Sequence, residues 1–384
     1  MDSVVTMPVI IGFYMLMSVL MLVFNVLYIF KQGRIDSRHE RKTLMWTKAI
    51  FPQLQAMRTK PRGHVDPVHL ERLTKKLWRI TELMEYYSAM LRMAKRYEPE
   101  EIQAYLSDCL ASFKFLASSY ALRKDMEKAT FAYVLSEFPP KAGGMDASVE
   151  MLLPYLTGSS VYCRENTLRA LCAMGDVAAV VRAFEILAEQ HIFHHEILLA
   201  GGLMTFSGDK EALAGQLWKH APDWPAHMGA AVVQFIEFSG ADYRQVFYSA
   251  MLKPDLNLQV QLSILHYFYT YPFEPVRPML LEYLKGADRM AADLAIVSAS
   301  VLAAYPGQES ISALTSALSS RNWYVRNNTA LSLLALGADA HDLYEVLQGS
   351  DPYALEMMCY QVQAQDEEDR LPQCARKEAK EEWG

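Results

Sequence analysis

Six residues, Gly175, Gly208, Gly240, Pro272, Pro306 and Gly337, close successive apolar stretches at intervals of 33, 32, 32, 34 and 31 residues. So narrow a spread marks an internal repeat, which restricts the fold more than any composition value does. Four residues before each landmark stand Leu171, Met204, Ile236, Phe268, Leu302 and Leu333; seven before stand Leu168, Gly201, Val233, Leu265, Ala299 and Ala330. Positions three apart share a helix face, so each unit offers the same apolar stripe, with smaller members that admit a neighbouring helix. Between landmarks lies a second, shorter apolar stretch: VAAVVRAFEILAEQ, KEALAGQLWKHA, PVRPMLLEYL, ESISALTSAL and HDLYEVLQ. Each repeat therefore reads as a helical hairpin, with Gly or Pro at a helix end. A further unit ends at Pro139, where Leu135 and Ala132 fall in the same two columns. No run past residue 100 alternates with period two over a useful length. A hairpin of about 32 residues cannot bury its stripe alone, so the units must stack. The expected fold class is all-α, an α-α superhelix of stacked hairpins.

The stretch ISALTSALSSRNWYVRNNTALSLLALG, with Arg326, Ala330, Leu333, Leu336 and Gly337, resembles a HEAT repeat. VYCRENTLRALCAMG resembles it too, through Arg164, Leu168, Leu171 and Gly175. The middle repeats carry Ile197, Gly229, Gln261 and Ala295 in the arginine column, so there the likeness rests on period and apolar pattern. It covers roughly residues 110 to 363, within a solenoid placed at 106–363. The resemblance implies an armadillo-like binding scaffold, with second helices on the concave side. Asn322, ahead of Trp323, reads as a helix cap.

Residues 4–30, VVTMPVIIGFYMLMSVLMLVFNVLYIF, hold no charged side chain. These 27 residues give roughly 40 Å of helix, more than a ~30 Å hydrocarbon core requires. Residues 1–30 are therefore read as one transmembrane signal-anchor. A cleaved signal peptide is the competing reading, against which stand the MDS start, the long apolar run and the FKQGR that follows. Lys31, Arg34, Arg38, Arg41 and Lys42 follow the span and only Asp2 precedes it, so the positive-inside bias expects the amino terminus outside and the rest in the cytoplasm. Asn25 could bond a partner helix or meet the interface.

Residues 31–105 form a basic juxtamembrane segment. Residues 31–100 hold 16 Lys/Arg against 8 Asp/Glu, whereas residues 101–384 hold 21 against 35. An anionic surface would be met by the first part only. Asp66 and Pro67 read as an N-cap and first helical position, and Leu70, Leu73, Leu77, Ile80, Met84, Tyr87, Leu91 and Ala94 follow at alternating spacings of three and four. That seam suits a coiled coil, but Trp78, Leu83, Met90 and Met93 widen it toward globular packing. Arg58, Lys60, Arg62, Lys75, Lys76 and Arg79 read as a headgroup-facing or simply solvated surface. Residues 364–384, which open with AQDEEDR from Ala364 on, read as a charged tail.

His191, His194 and His195 with Glu196 form the strongest metal candidate, since histidines four apart on a helix can share an ion. HEAT-like di-iron hydroxylases use His-Glu pairs in several repeats. The equivalent pairs here are Tyr162-Cys163, His227-Met228, Gln259-Val260, Asp293-Leu294 and Tyr324-Val325, leaving one His-Glu pair, so no metal and no cofactor is expected. The acidic repeats argue against nucleic acid. Cys109, Cys163, Cys172, Cys359 and Cys374 form no CxxC pair, and no GxGxxG, Walker, GxSxG or HExxH motif appears. No catalytic residue is therefore assigned. The Gly201-Gly202 pair reads as close helix packing.

Polar columns thirteen and six residues before the landmarks read His195/Gly202, His227/Gln234, Gln259/His266 and Asp293/Ser300. With Tyr267 of the aromatic run HYFYTYPF, the residues expected to meet a partner are His195, His227, Gln234, Gln259, His266 and Tyr267. The leading expectation is a membrane-anchored cytoplasmic scaffold for a membrane enzyme or transporter complex. The alternatives are a HEAT-type metal-dependent enzyme using the histidine cluster and a regulatory subunit of a membrane synthase. The oligomeric state is left open.

Overall fold

A computed structural model describes residues 3–59, 63–140, 151–286, 292–339, 341–349 and 351–370. Among them the protein is all-α and contains no strand. Asp2, Lys60, Arg62, Cys374 and residues 371–384 of the expected tail lie outside the described residues. The chain divides into two compact units, one of residues 1–192 and 205–208, the other of residues 193–204 and 209–384.

The first unit begins with α1, Ser3–Thr59, a single helix of 57 residues. From Ile11 to Phe30 its side chains are exposed, and it is long and apolar enough to cross a membrane. The helix runs on past residue 30, the expected end of the anchor, rather than stopping there. Gly33 penalises it by only about 1 kcal/mol relative to alanine. Side-chain bonds such as Gln32 to Asp36 brace the turns around it. Thr43, Trp46, Ile50 and Leu54, at spacings of three and four, then bury one stripe of α1 in the unit.

That stripe belongs to a bundle with α2, Pro67–Leu77, α3, Ile80–Ala94, α4, Pro99–Asp108, α5, Leu110–Ala121, and α6, Asp125–Glu137. Helices α1 and α3 pack together, as do α2 and α5, and α3 and α6. Asp66 caps α2, its side chain accepting from Val68 N at 3.0 Å. The continuous seam expected from Leu70 to Ala94 breaks at Trp78 and Arg79, where Arg79 turns extended (φ −95°, ψ 129°). Beyond the break the buried face is Leu83, Tyr86, Met90 and Met93, while Leu91 and Ala94 of the seam are exposed. The break shifts the register, so residues that had only seemed to widen the stripe become its core. Helices α7, Val161–Met174, and α8, Val177–Glu189, complete the unit.

The second unit holds α9, Glu196–Met204, α10, Lys210–His220, α11, Ala226–Ser239, α12, Arg244–Met251, and α13, Leu258–Thr270. It continues with α14, Arg277–Lys285, α15, Ala292–Val301, α16, Gln308–Ala317, α17, Trp323–Ala335, α18, Tyr344–Gln348, and α19, Pro352–Arg370. Here α9 packs on α11, α11 on α13, α13 on α15, α15 on α17 and α17 on α19, with α10, α12, α14 and α16 as their hairpin partners. Helix α12 falls where the sequence offered no recognised apolar stretch, and α19 runs to Arg370 rather than ending at 363.

The landmarks end helices in two ways. Gly175, Gly240 and Gly337 take left-handed backbone at φ +78°, +75° and +70°, where a Cβ would be strained. Tyr271 and Tyr305, each before a proline, leave the helix at φ −124° and −121°, because a following proline disfavours helical backbone. Gly208 does neither. It lies four residues past the end of α9, and a Cβ there would meet the Gly175 carbonyl at 2.6 Å. The apolar columns are accordingly buried in the other repeats, but in α9 the buried pair is Ala200 and Leu203 instead of Gly201 and Met204. Gly201 and Gly202 do not serve close packing, since a Cβ on either would meet nothing within 4 Å.

Candidate functional site

The amino end of α9 is built by the segment FHHE. His195 precedes the helix, its carbonyl accepting from the Leu198 and Leu199 N–H groups and its Nδ1 from Ile197 N at 3.3 Å. Glu196 opens α9, and its Oε2 accepts from Gln259 Nε2 at 2.5 Å, across 63 residues of sequence. Gln259 sits at the start of α13, whose cap is Asn257, accepting from Gln259 N at 2.9 Å. Helix α11 packs against both α9 and α13 and contributes His227, whose ring stands 4.9 Å from that of Phe193. Burial pulls the imidazole below its ordinary value, and the Glu196 carboxylate opposes that shift. His227 is therefore mainly neutral at pH 7.

Three successive second helices thus meet at their amino ends through Phe193, Glu196, His227 and Gln259. Around them Phe193, Ile197, Leu198 and Leu258 expose apolar surface. The patch combines exposed apolar side chains with a hydrogen-bonded carboxylate–amide pair and a half-buried imidazole.

His195, Gln259 and His266 are exposed, and His227 and Gln234 are half-buried. Tyr267 corrects the expectation that it meets a partner, because it is 0% exposed. Its hydroxyl donates to the Ala241 carbonyl at 2.9 Å and accepts from Tyr243 N at 2.8 Å, so it fastens a turn inside the unit. Of the basic residues following the apolar run, Lys31, Arg34, Arg38 and Arg41 are exposed, whereas Lys42 is half-buried between Glu82 and Glu85.

The histidine cluster does not occupy one helical face. His191, at φ +50°, His194 and His195 lie ahead of α9 in non-helical backbone, with His194 buried and the other two exposed. The one set of potential ligand atoms that converges among the described residues is Asp339, His341 and Asp342. There Asp339 Oδ1 caps the N–H groups of His341 and Asp342, and Asp342 Oδ1 accepts from Gln308 at 3.1 Å, so the carboxylates already have donors. Burial pushes the Cys109 and Cys172 thiols up to about 12, which makes both poor nucleophiles.

Sequence reading missed the tyrosines that tie helices together. Tyr120 donates to Leu77 O, Tyr155 to Ala117 O, Tyr271 to Glu237 O and Tyr305 to Phe268 O, at 2.6 to 3.2 Å. The Tyr-Pro pairs at 271–272 and 305–306 were the available signal for two of them.

Comparison of the chain with family models, curated proteins and solved structures finds no match. Among the described residues, fold and site together define an all-helical protein with one helix long and apolar enough to cross a membrane and a mixed polar and apolar patch at joined helix ends.

Proposed function

We propose that the chain is a membrane-anchored scaffold, in which α1 is a single-pass anchor and a HEAT-like solenoid holds a protein partner, a membrane enzyme or transporter complex. The observation that carries the reading is the joined patch of Phe193, Glu196, His227 and Gln259, flanked by exposed Ile197, Leu198 and Leu258. Serial packing of the second unit's helices supports the solenoid, since each helix supplies the wall its neighbour needs. The cations after residue 30 support an amino terminus outside and a cytoplasmic body. Anchoring confines scaffold and client to one surface and raises their effective concentration.

The test is co-purification from detergent extracts with the double variant Phe193→Asp, Ile197→Asp as comparison. A membrane protein retained by the parent chain should fall by about tenfold or more, the effect of losing apolar hot spots worth 1.4 kcal/mol or above. Recovery of the parent chain alone, under conditions that preserve other membrane complexes, would sink the scaffold.

A further inference from the structure

Beside the docked half of α1 lies a recess of about 100 Å³ whose polar lining is Lys42, Arg72, Lys76 and Glu82, with Trp46 as one wall. Glu82 is already committed. Its Oε1 stands 3.1 Å from Lys42 Nζ, and its Oε2 accepts from Trp46 Nε1 at 3.1 Å. Lys42 is likewise engaged, lying 3.3 Å from Glu85 as well. Arg72 and Lys76 are different. They sit one turn apart on α2, with no carboxylate at ion-pairing distance among the described residues, although neighbouring Lys75 pairs with Glu71. Like charges four apart on a helix repel, so this pair weakens α2 unless an anion lies between them. The Lys76 ammonium also stands 6.0 Å from the centre of the Trp46 ring, which leaves its outer protons free for an acceptor.

We propose that this recess binds a phosphate-type dianion, with the Arg72 guanidinium taking two oxygens through its planar fork and Lys76 a third. Guanidinium and ammonium together match a terminal phosphate, and the small volume suits one tetrahedral oxyanion rather than a nucleotide. Two sources share that chemistry, a lipid phosphomonoester and a free phosphate. Lys42 follows Phe30 by 12 residues, roughly 18 Å of helix, so on an upright helix the recess clears a polar layer about 7 Å deep. That distance favours a projecting or soluble phosphate over a buried diester. The inference stands independently of the scaffold reading, because no residue of the α9, α11 and α13 patch takes part.

The full-length chain in detergent micelles is titrated with inorganic phosphate by calorimetry at constant ionic strength, with chloride as control. Saturable binding is expected, weakened about tenfold or more in Arg72→Gln, Lys76→Gln and unchanged in Lys75→Gln. In phosphatidylcholine nanodiscs, an added phosphoinositide monophosphate, whose ring phosphomonoester projects beyond the polar layer, should compete with inorganic phosphate if the source is a lipid and leave it untouched if the source is soluble; either result keeps the site. No saturable binding, equal affinity in the double variant, or an equal loss in Lys75→Gln overturns it. Thermal melts of each variant, in the absence of phosphate, separate lost binding from lost folding.

Discussion

Asp125 shows how one carboxylate can hold a turn and a helix start together. It opens α6, pairs with Lys128 at 2.8 Å, and accepts from Ser159 Oγ at 3.0 Å and from Ser160 N at 3.1 Å. The ion pair with Lys128 and these two donors hold its carboxyl down at about 2. A carboxylate whose folded pKa is depressed stabilises the protein above its unfolded value near 4, and that contribution is lost as pH falls from there through 2. Asp125→Asn should therefore lose about 1 to 2 kcal/mol at pH 7 and show a flatter acid limb between about pH 4 and 2. Urea denaturation at a series of pH values reads both effects, and parallel acid limbs would disprove the assignment. The arginine column makes a similar point. Arg164 Nη1 donates to Gly158 O and Arg326 Nη1 to Ser320 O, each at 2.7 Å and six residues back. Gln261, which replaces the arginine, reaches Leu256 O at the same 2.7 Å. The column was legible in sequence, but its purpose, closing the turn before a second helix, was not.

At the scale of elements, the two kinds of glycine should respond to alanine in opposite directions. Gly201 lies exposed inside α9 with open space where a Cβ would stand, so Gly201→Ala should stabilise by about 0.5 to 1 kcal/mol through lower backbone entropy of the unfolded chain. A Cβ at Gly208 would meet the Gly175 carbonyl at 2.6 Å and the Phe206 ring at 2.8 Å. Backbone must move to admit it, and Gly208→Ala should destabilise by about 1 to 3 kcal/mol. Paired thermal denaturation decides the matter, and two shifts of the same sign would contradict the geometry. This contrast also marks what sequence could tell. Period and column identified the hairpins because apolar burial imposes a helical spacing on residues such as Val233, Ile236, Ala330 and Leu333, all of them 0% exposed. Column reading failed at Gly208, which keeps the period for a different reason, close approach to Gly175. It also failed at Trp78 and Arg79, where the local break carries no Gly or Pro. The patch was half legible: His227 and Gln259 stood in a polar column, but Glu196 and Phe193 join it through contacts between residues distant in sequence.

For the whole molecule, the decisive property is the continuity of α1 from its exposed apolar half to its docked half. Leu16 and Leu20 lie one turn apart within residues 11–30, and neither is buried by the protein. If that stretch sits in hydrocarbon, Leu16→Arg, Leu20→Arg places two cations near the centre of the span at about 2.5 to 3.5 kcal/mol each. The variant should pass from the carbonate-resistant membrane fraction to the soluble one. Thr43, Trp46, Ile50 and Leu54, which fix the other half of the helix, are untouched, so circular dichroism of the released protein should keep its helical signal. Intact mass adds a second, independent reading. A retained anchor leaves the 43.6 kDa chain whole, whereas removal of the apolar residues would identify them as a cleaved signal. Unchanged carbonate resistance in the charged variant would mean that the body, rather than the first helix, holds the protein to the membrane, and the scaffold would then need a different point of attachment.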